Sequence, residues 1–233
     1  MKEKKMGKLA QSVVESVSNK ISTSVLTQTL MDWQKEFPDL KRFKSTQKLL
    51  KRIGPAIIGI ELEKYMSDKY RPRLVLINLL DTSYNKISPC VYQSFKNKKG
   101  NELFVAYKDH SHLYLDACKI VENEARISLR NKPTLNEIIE GIFIYIEEDL
   151  YSANPFDECK SILLFSRLLH DEKMKEFYFD KAVKLMEKKI PHSILEDFTG
   201  GFKSWIEIIK NLDSEKLNKL QEESINKYKL IEI

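Results

Sequence analysis

Residues 56–108 leave the chain few folds to choose from. Ile58, Ile60 and Leu62 alternate with Gly59, Glu61 and Glu63, the pattern of a strand buried on one face. After a polar turn, Pro72 opens a second strand over 73–80. It is apolar at nearly every position, as a central strand covered on both faces must be. Pro89 breaks the start of a third strand over 87–95. A basic turn, Lys96-Asn97-Lys98-Lys99-Gly100-Asn101, leads to a fourth over 102–107, with Gly100 able to take a positive φ. A parallel neighbour needs a crossover of about a dozen residues or more, and none of these connections has room for a helix. The spacing predicts a mainly antiparallel sheet of four to five strands.

Helical periodicity flanks this segment. Leu9, Val13, Val14, Val17 and Ile21 form one stripe, which Val25, Leu26, Leu30 and Trp33 continue as far as Pro38. A shorter helix is expected over 41–53, with Phe43, Leu49 and Leu50 inward and Gly54-Pro55 as its stop. Beyond the sheet, Leu113, Ala117, Ile120, Val121 and Ala125 mark a helix over 111–126. Thr134 with Glu137 is a capping box. Asn154-Pro155 and Asp171 open two more helices, and Gly200-Gly201 is a turn before the last two. The expected fold class is α+β. Region 1–130 holds helices over 8–53, the sheet over 56–108 and the helix over 111–126. A helical region, 131–233, packs on the sheet to give one compact unit.

Composition narrows the setting. Cys90, Cys118 and Cys159 are far apart and odd in number, which argues for reduced thiols rather than a disulfide framework or zinc cage. No apolar run approaches the roughly 18 residues of a membrane span. The chain therefore reads as soluble and cytoplasmic, with no membrane partner. Its cations are mostly Lys, with only seven Arg, and Ile and Asn are frequent. That skew suits AT-rich coding, as in a low-GC bacterium or its mobile elements. It suits base readout poorly, because the bidentate fork belongs to Arg. Charge is uneven: residues 1–110 hold 21 Lys/Arg against 11 Asp/Glu, and residues 111–233 hold 18 against 23. Two oppositely charged halves point to charged partners.

No local motif fixes a reaction. Phosphate-cradling glycine loops, the G-x-S-x-G elbow and H-E-x-x-H are all absent from the sequence, and no cofactor is expected. Two constellations remain. His110 and His112, read as i, i+2 on a strand, would point the same way and are the alternative metal ligands, although no third ligand follows at a recognised spacing. Glu61 and Glu63, with Asp39 upstream, resemble the paired carboxylates of metal-dependent nucleases. Lys64 falls on the opposite face from the one that pattern requires. The bland reading, a solvated strand face, is the stronger.

The basic residues are the most usable feature. Arg42, Arg52, Arg71, Arg73, Lys98 and Lys99 are the candidate partner-binding set, within a basic stretch over 41–99. The leading expectation is a non-enzymatic interaction protein with a protein partner. Its narrower form is a toxin-neutralising immunity protein or a defence accessory. A nucleic-acid-binding protein using 41–99 is the alternative, and a metal-dependent nuclease using Asp39, Glu61 and Glu63 is the second.

Overall fold

A computed structural model describes residues 21–82, 88–148 and 155–230. Helix α1 (Thr23–Glu36) starts where Ser22 Oγ accepts from the Val25 amide and stops before Pro38. The expected continuation of this stripe over 9–20 lies outside the described residues.

The segment over 41–53 is not the expected helix. It forms β1 (Lys41–Arg42) and β2 (Lys48–Ile53), joined by a turn in which Lys44 has φ 51°. Six residues of β2 pair with β3 (Ala56–Tyr65) across the two-residue turn Gly54-Pro55, where Gly54 takes φ 54°. The physical reason is long-range. Leu49 and Ile53 face the helices while Leu50 faces the other side of the sheet, so β2 is apolar on both faces. An apolar segment of that kind is ambiguous in isolation, and ladder pairing with β3 decides it.

Strand β3 pairs with β4 (Lys69–Asn78) over ten registered positions, from Ala56↔Asn78 to Tyr65↔Lys69. β5 (Val91–Ser94) lies on the far side of β4, and β6 (Val105–Ala106) pairs with the start of β4. All pairings are antiparallel, in the order β1-β2-β3-β4-β5 with β6 beside β4. The third strand, expected over 87–95, is limited to Val91–Ser94: residues 88–90, around Pro89, are described and lie outside any strand, while residue 87 is not among the described residues. The fourth is cut to two residues plus an isolated bridge between Lys96 and Glu102. The α+β class and the helical C-terminal half stand as expected.

A short 3-10 turn (Tyr107–Asp109) leads into α2 (His110–Glu124). Then come α3 (Leu135–Glu148), α4 (Phe156–Ser166), α5 (Glu172–Lys189), α6 (His192–Thr199), α7 (Phe202–Lys210) and α8 (Ser214–Tyr228). The capping box at the head of α3 is formed. Glu137 accepts from the Thr134 amide at 2.7 Å, and Thr134 Oγ1 accepts from the Glu137 amide at 3.3 Å. Asp171 caps α5, and Gly200 and Gly201, at φ 66° and 129°, turn the chain between α6 and α7.

One hydrophobic cluster runs from Leu30 to Leu217 and joins the sheet to the helices. Ile58, Ile60, Leu62, Leu74, Leu76 and Val91 all lie in it. The opposite sheet face is apolar only at one end. There Leu50, Ile57, Val75, Ile77 and Leu79 are closed by Leu230, with Ile225 and Tyr228 of α8 against them. Gly59 lies in the middle of this face, and a Cβ there would stand 2.0 Å from the Leu49 carbonyl oxygen.

Candidate interaction surface

The open sheet face is laid out by strand parity. Cross-strand partners point the same way, so each register pair places two side chains side by side. Nearest α8 lies the row Arg52–Ile57–Ile77, and then Leu50–Gly59–Val75–Tyr92. Beyond the apolar end come Lys48–Glu61–Arg73, Glu63–Arg71 and Tyr65–Lys69.

The charged rows form a continuous ladder. Lys48 Nζ lies 3.2 Å from Glu61 Oε2. Arg71 donates from Nε to Glu63 Oε2 at 2.6 Å and from Nη1 to Glu102 Oε1 at 2.7 Å. Arg73 Nε is 2.8 Å from the same Glu63 oxygen. Arg73 Nε and Glu61 Oε2 are sealed from solvent and make these contacts as ion pairs without hydrogen-bond alignment. The hydrogen bond from Arg71, outweighing burial, holds the Glu63 carboxyl below its ordinary value, and Glu63 in turn raises Arg71. Aromatic rings flank the ladder. The Arg73 guanidinium lies over Tyr92 at 5.7 Å, and Lys69 Nζ lies 5.1 Å from the Tyr65 ring and 4.8 Å from the Phe104 ring.

The candidate residues from the sequence divide. Arg71 and Arg73 lie in the ladder. Lys98 and Lys99 lie in the hairpin that the Lys96↔Glu102 bridge fastens beside Arg71. Arg52 is on the open face at the α8 end, and Arg42, paired with Leu49, is on the helix side of the edge strand. The six therefore do not make one face. Glu61 and Glu63 share a face, as alternation requires, but each carboxylate is held by cations of this chain. Asp39 is exposed in the turn after α1, where its charge acts on Lys51.

His110 and His112 are not on a strand. They open α2, where residues two apart sit about 200° apart around the axis. His110 is buried and His112 is exposed, so they cannot ligate one ion. Among the described residues no group of three or more His, Cys, Asp or Glu is placed to hold a metal.

His110 instead belongs to a buried chain linking α1, β4 and α2. Trp33 Nε1 donates to the Tyr70 hydroxyl at 3.0 Å, which lies 2.8 Å from His110 Nδ1. His110 Nε2 lies 3.3 Å from Asp32 Oδ2. The indole can only donate, so the Tyr70 proton goes to Nδ1 and the imidazole N–H to Asp32. Burial lowers the His110 value despite Asp32, and burial raises the Tyr70 hydroxyl. At Asp32 burial pushes upward, but hydrogen bonds from Lys35, Gln28 and His110 outweigh it and the carboxyl is lowered. With Tyr70 fully enclosed, this chain is a clamp between elements.

No protein-family model, curated protein or solved structure matches the chain.

Sequence reasoning missed Tyr65, Lys69, Glu102 and Phe104 as members of the surface. Their signal was present in part: parity on β3 and β4 follows from the alternation once the turn at 66–68 is fixed. Glu102 and Phe104 join only through the hairpin's tertiary placement.

Proposed function

We infer that this protein is a non-enzymatic interaction protein that binds a protein partner through the open face of its sheet. The observation that carries the reading is the ladder itself. Three cations, Lys48, Arg71 and Arg73, face three carboxylates, Glu61, Glu63 and Glu102, beside the aromatic side chains of Tyr65, Tyr92 and Phe104. A phosphate-binding face carries an uncompensated positive charge. A surface whose ladder charges are mostly paired within the chain, with Lys69 and Arg52 as further cations on the same face and Tyr and Arg at its centre, fits a protein, where charge complementarity sets register and a few aromatic and Arg residues carry most of the affinity. The narrower form, a toxin-neutralising immunity protein or defence accessory of a low-GC bacterium, rests on composition and belongs to the same proposal.

The test has two arms. Tyr92→Ser with Arg73→Gln alters the ladder without reversing its charge. Affinity capture from the source cells should lose a stoichiometric protein in that variant and retain it in a variant of the exposed α5 residue Phe177. In the second arm, oligonucleotide affinity is followed against salt for the wild type and for Lys98→Glu/Lys99→Glu. The expected result is no binding tighter than the non-specific range of about 10⁻⁴–10⁻⁶ M at physiological salt. Tight, salt-steep binding lost in the lysine variant would overturn the reading in favour of nucleic acid.

A further inference from the structure

The β3–β4 hairpin ends in an arrangement that folding alone does not favour. Met66, at its apex, is 67% exposed and has φ 57°. A left-handed conformation is cheap for Gly and Asn and costly for an ordinary side chain. Strain retained at an exposed apolar residue is a reason to look for function there. The neighbours support that. Tyr65 and Phe104 pack with their centroids 4.5 Å apart and their planes tilted by 42°, and the Arg71 guanidinium lies over Tyr65 at 5.5 Å. Met, Tyr, Phe and Arg are the residue types enriched at the centres of protein interfaces.

The rim has one sign. Lys108 flanks the apex, since the Tyr107 amide is bonded to the Asp68 carbonyl, and Lys98 and Lys99 project from the adjoining hairpin, while Lys64 lies on the helix side with its cross-strand partner Tyr70. The three exposed lysines Lys98, Lys99 and Lys108 lie around one exposed carboxylate, Asp68, a balance of +2. Glu63 and Glu102 are taken up by Arg71.

We propose that this end of the sheet is the docking centre, and that it takes an acidic protein surface carrying an apolar socket for Met66. The lysine rim steers the acidic surface in. The Met66, Tyr65 and Phe104 side chains form the desolvated centre, and Arg71 stays bound to its own carboxylates and stiffens the platform. This rests on the reading of the protein as a protein-binding module and names the partner's chemistry.

The experiment uses the whole chain, labelled with nitrogen-15, and three probes: a short Glu-rich peptide with a central Leu–Phe pair, the same peptide with Ser–Ser in place of the pair, and an oligothymidylate of matched charge. The Leu–Phe peptide should shift the amides of Met66, Lys69 and Phe104 and bind about tenfold tighter than the Ser–Ser peptide. Met66→Gly relieves the backbone conformation, so it should melt higher than the wild type yet lose that tenfold preference, an outcome a purely structural Met66 would not give. Lys98→Glu/Lys99→Glu should slow association with both peptides, because rim charges act on the encounter rate. The proposal is overturned by no peptide shifts at the tip, by equal affinity for the two peptides, or by concentration-dependent tip shifts without peptide, which mark a second copy as the occupant. Shifts confined to the Lys48–Arg73 rows would overturn this proposal and leave the broader reading standing. Tighter binding of the oligothymidylate would overturn both.

Discussion

His110 shows how much one side chain can commit. As a neutral imidazole it accepts from Tyr70 and donates to Asp32, tying α1 to β4 and α2. The groups facing it are Asp32 of α1, which also binds Lys35, Tyr70 of β4, which packs on Tyr107, and Tyr114 of α2. Its folded value is depressed below 6.5, so on acidification the unfolded chain takes up the proton first. Stability from this group is therefore complete above about pH 6.5 and is lost as pH falls through the folded value. The depressed Asp32 carboxyl acts in a separate window, below 3.8. Denaturant titrations should show stability declining below about pH 6.5 in the wild type, with the slope flattened in His110→Gln. Tyr70→Phe removes the shared hydroxyl and leaves the Trp33 N–H and His110 Nδ1 unsatisfied, at a cost of about 1–3 kcal/mol. A wild-type curve that is flat from neutral pH to pH 5 would contradict the burial of a neutral His110.

At the scale of elements, α8 contributes more than its sequence suggests. It is largely polar, with Leu217 and Ser224 buried, yet its Ile225 and Tyr228, with Leu230 just beyond its end, close the far side of the sheet. Leu230 is fully buried there, reached through a left-handed turn at Lys229 in which the Leu230 amide bonds to the Ile225 carbonyl. Lys44 Nζ donates to the Tyr228 carbonyl at 3.1 Å and pins the same corner. This second apolar cluster is separate from the main core, so the Leu230 end of the segment can open locally while Leu217 keeps the head of α8 in that core. Leu230→Asp places an unpaired charge against Ile57 and Val75. In that variant, amide exchange over the C-terminal end of α8 should accelerate by orders of magnitude while the β3–β4 ladder stays protected. Equal acceleration in both would show that the strap and sheet unfold as one unit.

For the whole molecule, the deciding feature is that one buried cluster spans Leu30 to Leu217. The sheet and the helical half share it through contacts such as Asn78 Nδ2 to Ser161 Oγ at 3.1 Å. Gln93 of β5 clasps the end of α2, donating to the Glu124 carbonyl at 2.7 Å and accepting from the Arg126 amide. Lys51 of β2 donates to the carbonyls of Leu129 and Asn131, holding the loop before α3 against the sheet edge. A chain joined in this way should unfold in one cooperative step, with near- and far-ultraviolet circular dichroism giving coincident transitions. Two resolved transitions would make residues 131–233 a domain in their own right. Among the described residues no helix is long and apolar enough to cross a membrane.

The sequence by itself determined the parts whose signal is local. Alternation at Ile58, Ile60 and Leu62 and the apolar run after Pro72 placed the middles of β3 and β4, since a period of two and short connections admit little else. Neither placed the start of β4, which begins at Lys69 and carries Pro72 inside it, opposite Leu62, rather than at its head. The capping box at Thr134 and Glu137, the Asp171 cap and the Gly200-Gly201 turn placed helix ends, since each is chemistry within a few residues. Tertiary structure decided the rest. β2 is a strand because its hydrogen bonds go to β3, and local periodicity cannot report a partner's presence. His110 and His112 part company because a helix, not a strand, begins there. The basic residues fail to form one face because Arg42 and Arg71 point to opposite sides of the sheet. The charge of Arg71 and Arg73 is matched within the chain by Glu63 and Glu102, and a ladder built from four separate segments exists only once pairing brings those segments side by side.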